Sequence, residues 1–324
     1  MRIVNEQVNV RVPAGISLFR AGFSNLALSL NLWDEISASF TTRASRAIVL
    51  GQGSRQIAQD ERHPVIQTMH RLLSDLGQPA FGIELVCRNN IRRNIGLGEN
   101  EAQIAAALLL VKGMLGNPAE LSLPILRCFA ERYRGDCAIL TAILAGGAAL
   151  TWPSRKSPGS AQLAKNVLLA PAGAINLQTQ QQSGSSYAAL QIHSDLRLTL
   201  ITSSFDDSMD SRAVSAKEVD FQLPASHTAA FVYALQYDPL LLCEITGSIS
   251  WHSALEANPE IAASAITDLA RSLQKAHWPV IYTETGTALL LFAKMPQAMQ
   301  AKLIDAGFAV QEVAAAQAAV NYFS

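Results

Sequence analysis

Charge is scarce in this chain. Asp, Glu, Lys and Arg make up 16% of its 324 residues, against roughly 25% in an average soluble protein. The 25 basic and 26 acidic side chains nearly cancel, to a net charge of −1, and Lys and Arg are scattered. This excludes the basic stripe that grips nucleic acid and the polybasic segment that binds an anionic membrane surface. Long hydrophobic runs are missing as well: the longest, from Ile104 to Val111, stops at Lys112, far short of the roughly 20 residues that cross a bilayer. Met1 to Glu6 lack the charged-then-apolar order of a secretory signal. Cysteine is sparse, and Cys87, Cys128, Cys137 and Cys243 include no C-x-x-C pair. The sequence therefore predicts reduced thiols in a cytoplasmic protein, with no metal site.

Hydrophobic residues reach 49%, enough for a large core and for surface buried between subunits, and the length suits one large or two modest domains. Alternating runs at Val8–Val12 and Leu26–Leu32 predict half-buried strands, with a loop from Pro13 to Ser24 between them. Further strands are expected at Ile36–Thr41, Ala47–Leu50 and Phe81–Cys87. His63–Leu76 has apolar residues at helical spacing and ends at Gly77. Helices are expected over Glu101–Leu115, Pro118–Tyr133 and Cys137–Leu144, then a strand over Ala148–Trp152. Text rich in Ser, Gly, Pro and Gln follows, with strand-like Asn166–Leu169 inside it. The second half reads as a strand (Leu196–Thr202), three helices (Ala225–Tyr237, Leu240–Ile249, Ile261–Ala276), two strands (Val280–Tyr282, Leu289–Ala293), a helix (Pro296–Ala306) and a last strand at Phe308–Val313. This is an α+β pattern, divided into an N-terminal lobe over 1–152, a junction over 153–190 and a C-terminal lobe over 191–324.

Gly96-Leu97-Gly98 stands where a strand gives way to a small-residue helix. A glycine-rich turn opening a helix suits phosphate, because unpaired N–H groups and the helix dipole both favour an anion there. Phosphate loops follow their glycines with hydroxyl side chains, whereas here Glu99-Asn100-Glu101 follows. At an effective dielectric of about 20, a carboxylate a few ångströms from a polyphosphate repels it by on the order of several kcal/mol.

Four segments in order resemble the GHMP small-molecule kinases, homoserine kinase among them. Val10 to Asp34 is similar to the opening strand, substrate loop and next strand. Ile83 to Gly98 is similar to the run into the family's Gly-Leu-Gly-Ser-Ser-Ala loop. Arg134 to Trp152 is similar to its second motif, with Gly146-Gly147 after it, and Tyr282 to Ala293 to its third, Ser-Gly-Ala-Gly-Pro-Thr. Glu99 and Asn100 replace the two serines, Arg134 stands where an acidic Mg²⁺ partner is expected, and Glu284-Thr285-Gly286-Thr287 keeps one glycine of the third motif. The middle of the chain also resembles the β-ribofuranosylaminobenzene phosphate synthases, which keep this fold but transfer phosphoribose in methanopterin cofactor biosynthesis. Ile91 to Gly98 is similar to their Ile-x-x-His-Val-Gly-Leu-Gly, with Asn94 at the His, and Arg134-Gly135 to their second motif. Their Arg-Leu-His in the first loop is Gly15-Ile16-Ser17 here.

The resemblance implies a GHMP-kinase-like two-lobed fold with a ligand cleft between lobes, a small anionic metabolite as ligand, and a homodimer. The leading expectation is a non-kinase enzyme resembling the synthases, with Mg²⁺ and a phosphoribosyl donor. The alternatives are a catalytically silent metabolite- or protein-binding homologue, and an active homoserine-type kinase using ATP and Mg²⁺. Candidate catalytic residues are Glu99, Arg134, Asp136, His227, His252 and Glu284. Candidate ligand-binding residues are Arg20, Ser24, Arg92, Arg93, Asn94, Gly96, Gly98, Cys137 and Thr285. Bland readings stand beside these: Glu99 and Glu101 as first-turn acids that stabilise their helix, Asp136 as an N-cap, Arg20 as a solvated loop residue, and the histidines as core or helix-surface groups.

Overall fold

The structure, a computed structural model, describes residues 3–21, 24–79, 81–133, 135–153, 185–203, 225–248, 264–283 and 285–322. Two long strands organise it, β1 (Gln7–Ala21) and β2 (Ser24–Thr41). The segment expected as a loop after Pro13 is in fact strand, and the two strands pair antiparallel from Gln7↔Ser39 to Ala21↔Ser24. The sequence hid this because Pro13, Gly15 and Ser17 break the alternation. The structure absorbs that break in two register shifts, at Pro13/Ala14 and Ser17/Phe19, bulges of the kind that bend a strand and re-aim its side chains.

The first sheet has seven strands, ordered β11 (Val320–Tyr322), β1, β2, β4 (Gly82–Asn89), β3 (Arg46–Gly51), with β5 (Ala148–Pro153) and β6 (Ser185–Leu190) alongside. β2 changes partner along its length. Asn25–Leu28 pairs with β5 (Ala148–Pro153), and Glu35–Thr41 pairs with β4 (Gly82–Asn89). β3 (Arg46–Gly51) runs parallel to β4, as the connection through α1 (Pro64–Asp75) requires. β6 (Ser185–Leu190) pairs with β5. Helices α2 (Glu99–Met114) and α4 (Cys137–Ala145) pack on β1, and α1 packs on α2. α3 is Leu123–Arg132. α2 is buried nearly all round, with Ala102, Ala105, Ala106, Ala107 and Leu108 at 0% exposure, the burial expected of a helix apolar on every face.

The second sheet is ordered β10-β7-β9-β8, from β7 (Leu198–Ser203), β8 (Val280–Tyr282), β9 (Ala288–Leu291) and β10 (Phe308–Val313). Its pairings are antiparallel. Helices α5 (Ala225–Tyr237), α6 (Leu241–Ser248), α7 (Ala265–Lys275) and α8 (Gln297–Asp305) accompany it. Phe308–Val313 is not the last strand, since β11 (Val320–Tyr322) returns to the first sheet beside β1. Three residues are too few for a readable alternation. The return is stitched by Asn31 N–H to Ala314 O, Ala316 N–H to Ser29 O and Gly147 N–H to Ala316 O. Strand-like Asn166–Leu169 lies outside the described residues.

No described helix is long and apolar enough to cross a membrane. Phe231 of α5 is fully buried and meets Phe292 edge-on, with ring centroids 5.4 Å apart. Phe231→Ala is expected to cost about 3–5 kcal/mol of stability, measured as a lower urea midpoint.

Candidate functional site

β4 delivers the chain into the glycine loop. Asn94, Gly96 and Gly98 have φ of 59°, 74° and 64°, the left-handed region that glycine and asparagine tolerate best. Gly98 is the N-cap of α2 and makes no side-chain cap. Its backbone lies so close to β1 that a Cβ would sit 2.6 Å from the Gly15 carbonyl oxygen, and a Cβ on Gly15 would sit 2.5 Å from Ile139 Cγ2. Gly15 N–H donates to Leu97 O at 3.0 Å. The loop is thus clamped between β1 and the first turns of α2 and α4.

Glu99 does not project into open space. It is 9% exposed, and its Oε1 accepts from Asn94 N–H at 3.0 Å, closing the loop on itself. Glu101 Oε1 accepts from Asp136 N–H at 3.2 Å. Asp136 Oδ1 in turn accepts from Ala138 and Ile139 N–H, at 2.8 and 2.9 Å, and caps α4. Three carboxylates therefore satisfy backbone amides around the loop, and the first two also face the positive end of α2.

Beneath the loop lies a buried cluster that no motif singles out. Asp34 is 3% exposed, and its Oδ1 accepts from Asn90 and Ile91 N–H at 2.7 and 2.9 Å. Burial, opposed by these bonds and by Arg93, raises its pKa to about 6. Both amides use Oδ1, so a proton on the other oxygen leaves the loop entry anchored. His63 caps α1 by accepting from Val65 N–H at 3.2 Å through Nδ1, and its Nε2 faces Cys87 Sγ at 3.8 Å. Burial first, then Arg93, lowers His63 to about 4. Burial with Asp34 nearby pushes the Cys87 thiol up to about 12, so it is no nucleophile. Arg93 faces this cluster, and its Nε is buried with no hydrogen-bond partner among the described residues. Asp34 stands between Trp33 and Glu35 in a strand run, and one of two adjacent acids there reads as an ordinary surface position, so it carried no signal in the sequence.

Arg92 points the other way. Its Nη1 donates to Thr202 Oγ1 at 2.6 Å and to Ser203 O at 3.3 Å, tying the loop to β7. Cys137 is the first residue of α4, directly after its cap. Thr285 Oγ1 lies 2.7 Å from Thr287 Oγ1 and 3.4 Å from Thr283 Oγ1, within a turn of the second lobe. His227 is in the first turn of α5, with a buried Nδ1 that has no partner among the described residues. No described contact links Thr285 or His227 to the glycine loop. Arg134, His252 and Glu284 lie outside the described residues. Arg20 and Ser24 are placed at the β1–β2 end as backbone only.

Asp34 and His63 oppose each other in pH dependence. Between about 4 and 6 the folded chain keeps a proton on Asp34 that the unfolded chain has lost, so this group's contribution falls as pH rises. His63 stays neutral when folded but takes up a proton below about 6.5 when unfolded, so its contribution falls as pH falls from 6.5 to 4. Relative to the unmutated chain, Asp34→Asn is expected to make stability rise more steeply with pH across this window. His63→Asn, which keeps a capping side chain, is expected to make it fall. Urea midpoints at about pH 4.5 and 6 check both signs.

No family model matches the chain. A homoserine kinase of Corynebacterium efficiens is 26% identical over 249 residues, 75% of this chain and 73% of that protein. One of Corynebacterium urealyticum is 23% identical over 320 residues, covering 97% and 95%. One of Streptomyces coelicolor is 31% identical over 146 residues, covering 45% and 47%. Among solved structures, homoserine kinase from Cytophaga hutchinsonii superposes with a TM-score of 0.68 at 17% identity over 99% of each chain. Mevalonate diphosphate decarboxylase from Staphylococcus aureus does so with 0.63 at 12% identity over 98% of each. The expected phosphoribosyl-transferring synthase, and with it methanopterin biosynthesis, is overturned by these relatives, which are named as homoserine kinases. Sequence relatives and superposed structures converge on one α+β architecture, and this chain has the fold of the GHMP kinase superfamily.

Proposed function

We propose that this chain is a small-molecule kinase of the homoserine kinase type, binding nucleotide phosphate at the mouth of α2 and acting on the hydroxyl of a small, anionic amino-acid-like metabolite. The observation that carries this reading is the N-terminus of α2. Gly98 is left-handed at the N-cap with no side chain over the first-turn amides, an arrangement suited to phosphate. The names and coverage of the relatives agree with it. The nucleotide, with its Mg²⁺, would supply the phosphoryl group. The ion would arrive bound to the phosphate oxygens of the nucleotide. The chain's own contribution is positional and electrostatic: the α2 amides hold phosphate, and Gly15 and Gly98 let the backbone come close. A cytoplasmic homodimer is part of the same proposal, and sedimentation tests the dimer.

One observation favours a second reading, a homologue that binds a metabolite without turning it over. The Glu99 carboxylate already holds Asn94 N–H within the cradle, and its charge opposes a polyphosphate there. A coupled assay with Mg·ATP and homoserine separates the two. Turnover by the unmutated chain supports the kinase. Binding without turnover, in both the unmutated chain and Glu99→Ser, supports the silent homologue. Under the kinase reading Glu99→Ser tightens ATP at least about tenfold, or about 1.4 kcal/mol, seen by calorimetric titration.

A further inference from the structure

A second concave site lies where the first sheet meets the second. Between Pro13 and Ala14 the β1–β2 register jumps, from Pro13↔Trp33 to Ala14↔Leu30, which leaves Asn31 and Leu32 without partners on β1. This bulge opens a cavity of about 290 Å³, lined among others by Arg11, Asn31, Trp33, Glu35, Arg92 and Leu97. That volume is just under the roughly 300 Å³ at which drug-sized pockets begin, so it suits a small metabolite.

The charge here is not that of the chain as a whole. Arg11, Glu35 and Arg88 stand directly opposite one another across β1, β2 and β4, and directly opposite residues share a sheet face. Of the charged residues lining the cavity, Arg11 and Arg92 are basic and Glu35 is acidic, and Arg88 flanks Glu35 on β4. Arg11 is held flat, its Cζ 4.5 Å from the centre of the Trp33 ring. Its ion pair with Glu35 spans 3.8 Å, with both side chains nearly half exposed, a pair of little strength. Stacking thus fixes the guanidinium plane and leaves its N–H edge underused, the preorganised state from which arginine takes a carboxylate in bidentate fashion. Asn31 has its Oδ1 engaged by Ala314 N–H, which leaves its amide NH₂ as a further donor.

We propose that this cavity is a small-molecule site separate from the phosphate cradle, that it takes a small carboxylate through Arg11, and that it reports its occupancy to the glycine loop. The report runs through two residues that belong to both places. Leu97 lines the cavity and its carbonyl holds Gly15 N–H, while Arg92 lines the cavity and ties the loop to Thr202. A carboxylate seated on Arg11 adds negative charge beside Arg92 and packs against the loop from behind. The site does not depend on the kinase reading, since neither Arg11 nor Trp33 touches the cradle.

The test uses the full chain without nucleotide. Titration calorimetry with succinate, inorganic phosphate and glycerol, each to about 10 mM, is expected to show succinate binding in the millimolar range or tighter and no heat from glycerol. Arg11→Ala is expected to weaken succinate at least about tenfold, and Glu35→Gln to tighten it about threefold by removing the competing carboxylate. Hydrogen exchange at residues 94–98 is expected to slow with succinate in the unmutated chain and not in Arg11→Ala. Both substitutions are at exposed positions, and circular dichroism confirms the fold. Phosphate binding as tightly as succinate, and weakened as much by Arg11→Ala, overturns the carboxylate assignment. Absence of succinate binding, or equal binding by Arg11→Ala, overturns the site, and unchanged exchange overturns the coupling.

Discussion

The contact that the rest of the molecule is arranged around is backbone against backbone. The peptide at Gly15 in β1 meets the glycine loop with no side chain between them. The Gly15 amide holds the Leu97 carbonyl, and Gly98 lies against the Gly15 carbonyl too closely for a Cβ. Ile139, from the first turn of α4, fills the remaining space beside both glycines. Three elements distant in sequence are therefore fixed at one point. Once α2 starts there, its alanine-rich body must run through the interior, because β1 lies on one side and α1 on another.

The way the loop satisfies its own amides follows from that fixed start. Helix beginnings leave N–H groups without partners, and buried ones are costly. Here Glu99 and Glu101 reach out from the first turn to amides that are not in their own helix, at Asn94 and Asp136. Asp34 does the same from below for Asn90 and Ile91. Two acids thus hold the loop from opposite sides, and a third pins the start of α4 to α2. In the GHMP kinases that the sequence resembles, hydroxyl side chains stand at the first of these positions, so part of the scaffolding and part of the ligand chemistry occupy the same place in this chain.

Much of the fold could be read from the sequence, for identifiable reasons. α1 was legible because Val65, Ile66, Met69, Leu72 and Leu73 repeat at helical spacing, and all are buried. The glycine loop was legible because only glycine suits a left-handed N-cap pressed against a neighbouring strand. The continuity of β1 through Pro13 and Gly15 was not, since bulges leave no periodic trace. Asp34 and His63 were also missed as members of the site. One sits in a strand and the other before a helix, and only the folding of β4 between them brings both against Arg93. The functional expectation failed differently: local likeness around Ile91 and Arg134 outweighed likeness spread along the whole chain, and the long alignments to homoserine kinases restore that balance.

Gly147 has a mechanical consequence. The chain leaves the first sheet at Leu190, whose carbonyl lies 2.6 Å from where a Gly147 Cβ would be, and it comes back through Ala316, whose carbonyl accepts the Gly147 amide. Outgoing and returning segments are therefore fastened beside the same residue. The two crossings are therefore not independent: a side chain at Gly147 would press on the Leu190 carbonyl and, by shifting the Gly147 amide, loosen the Ala316 contact as well.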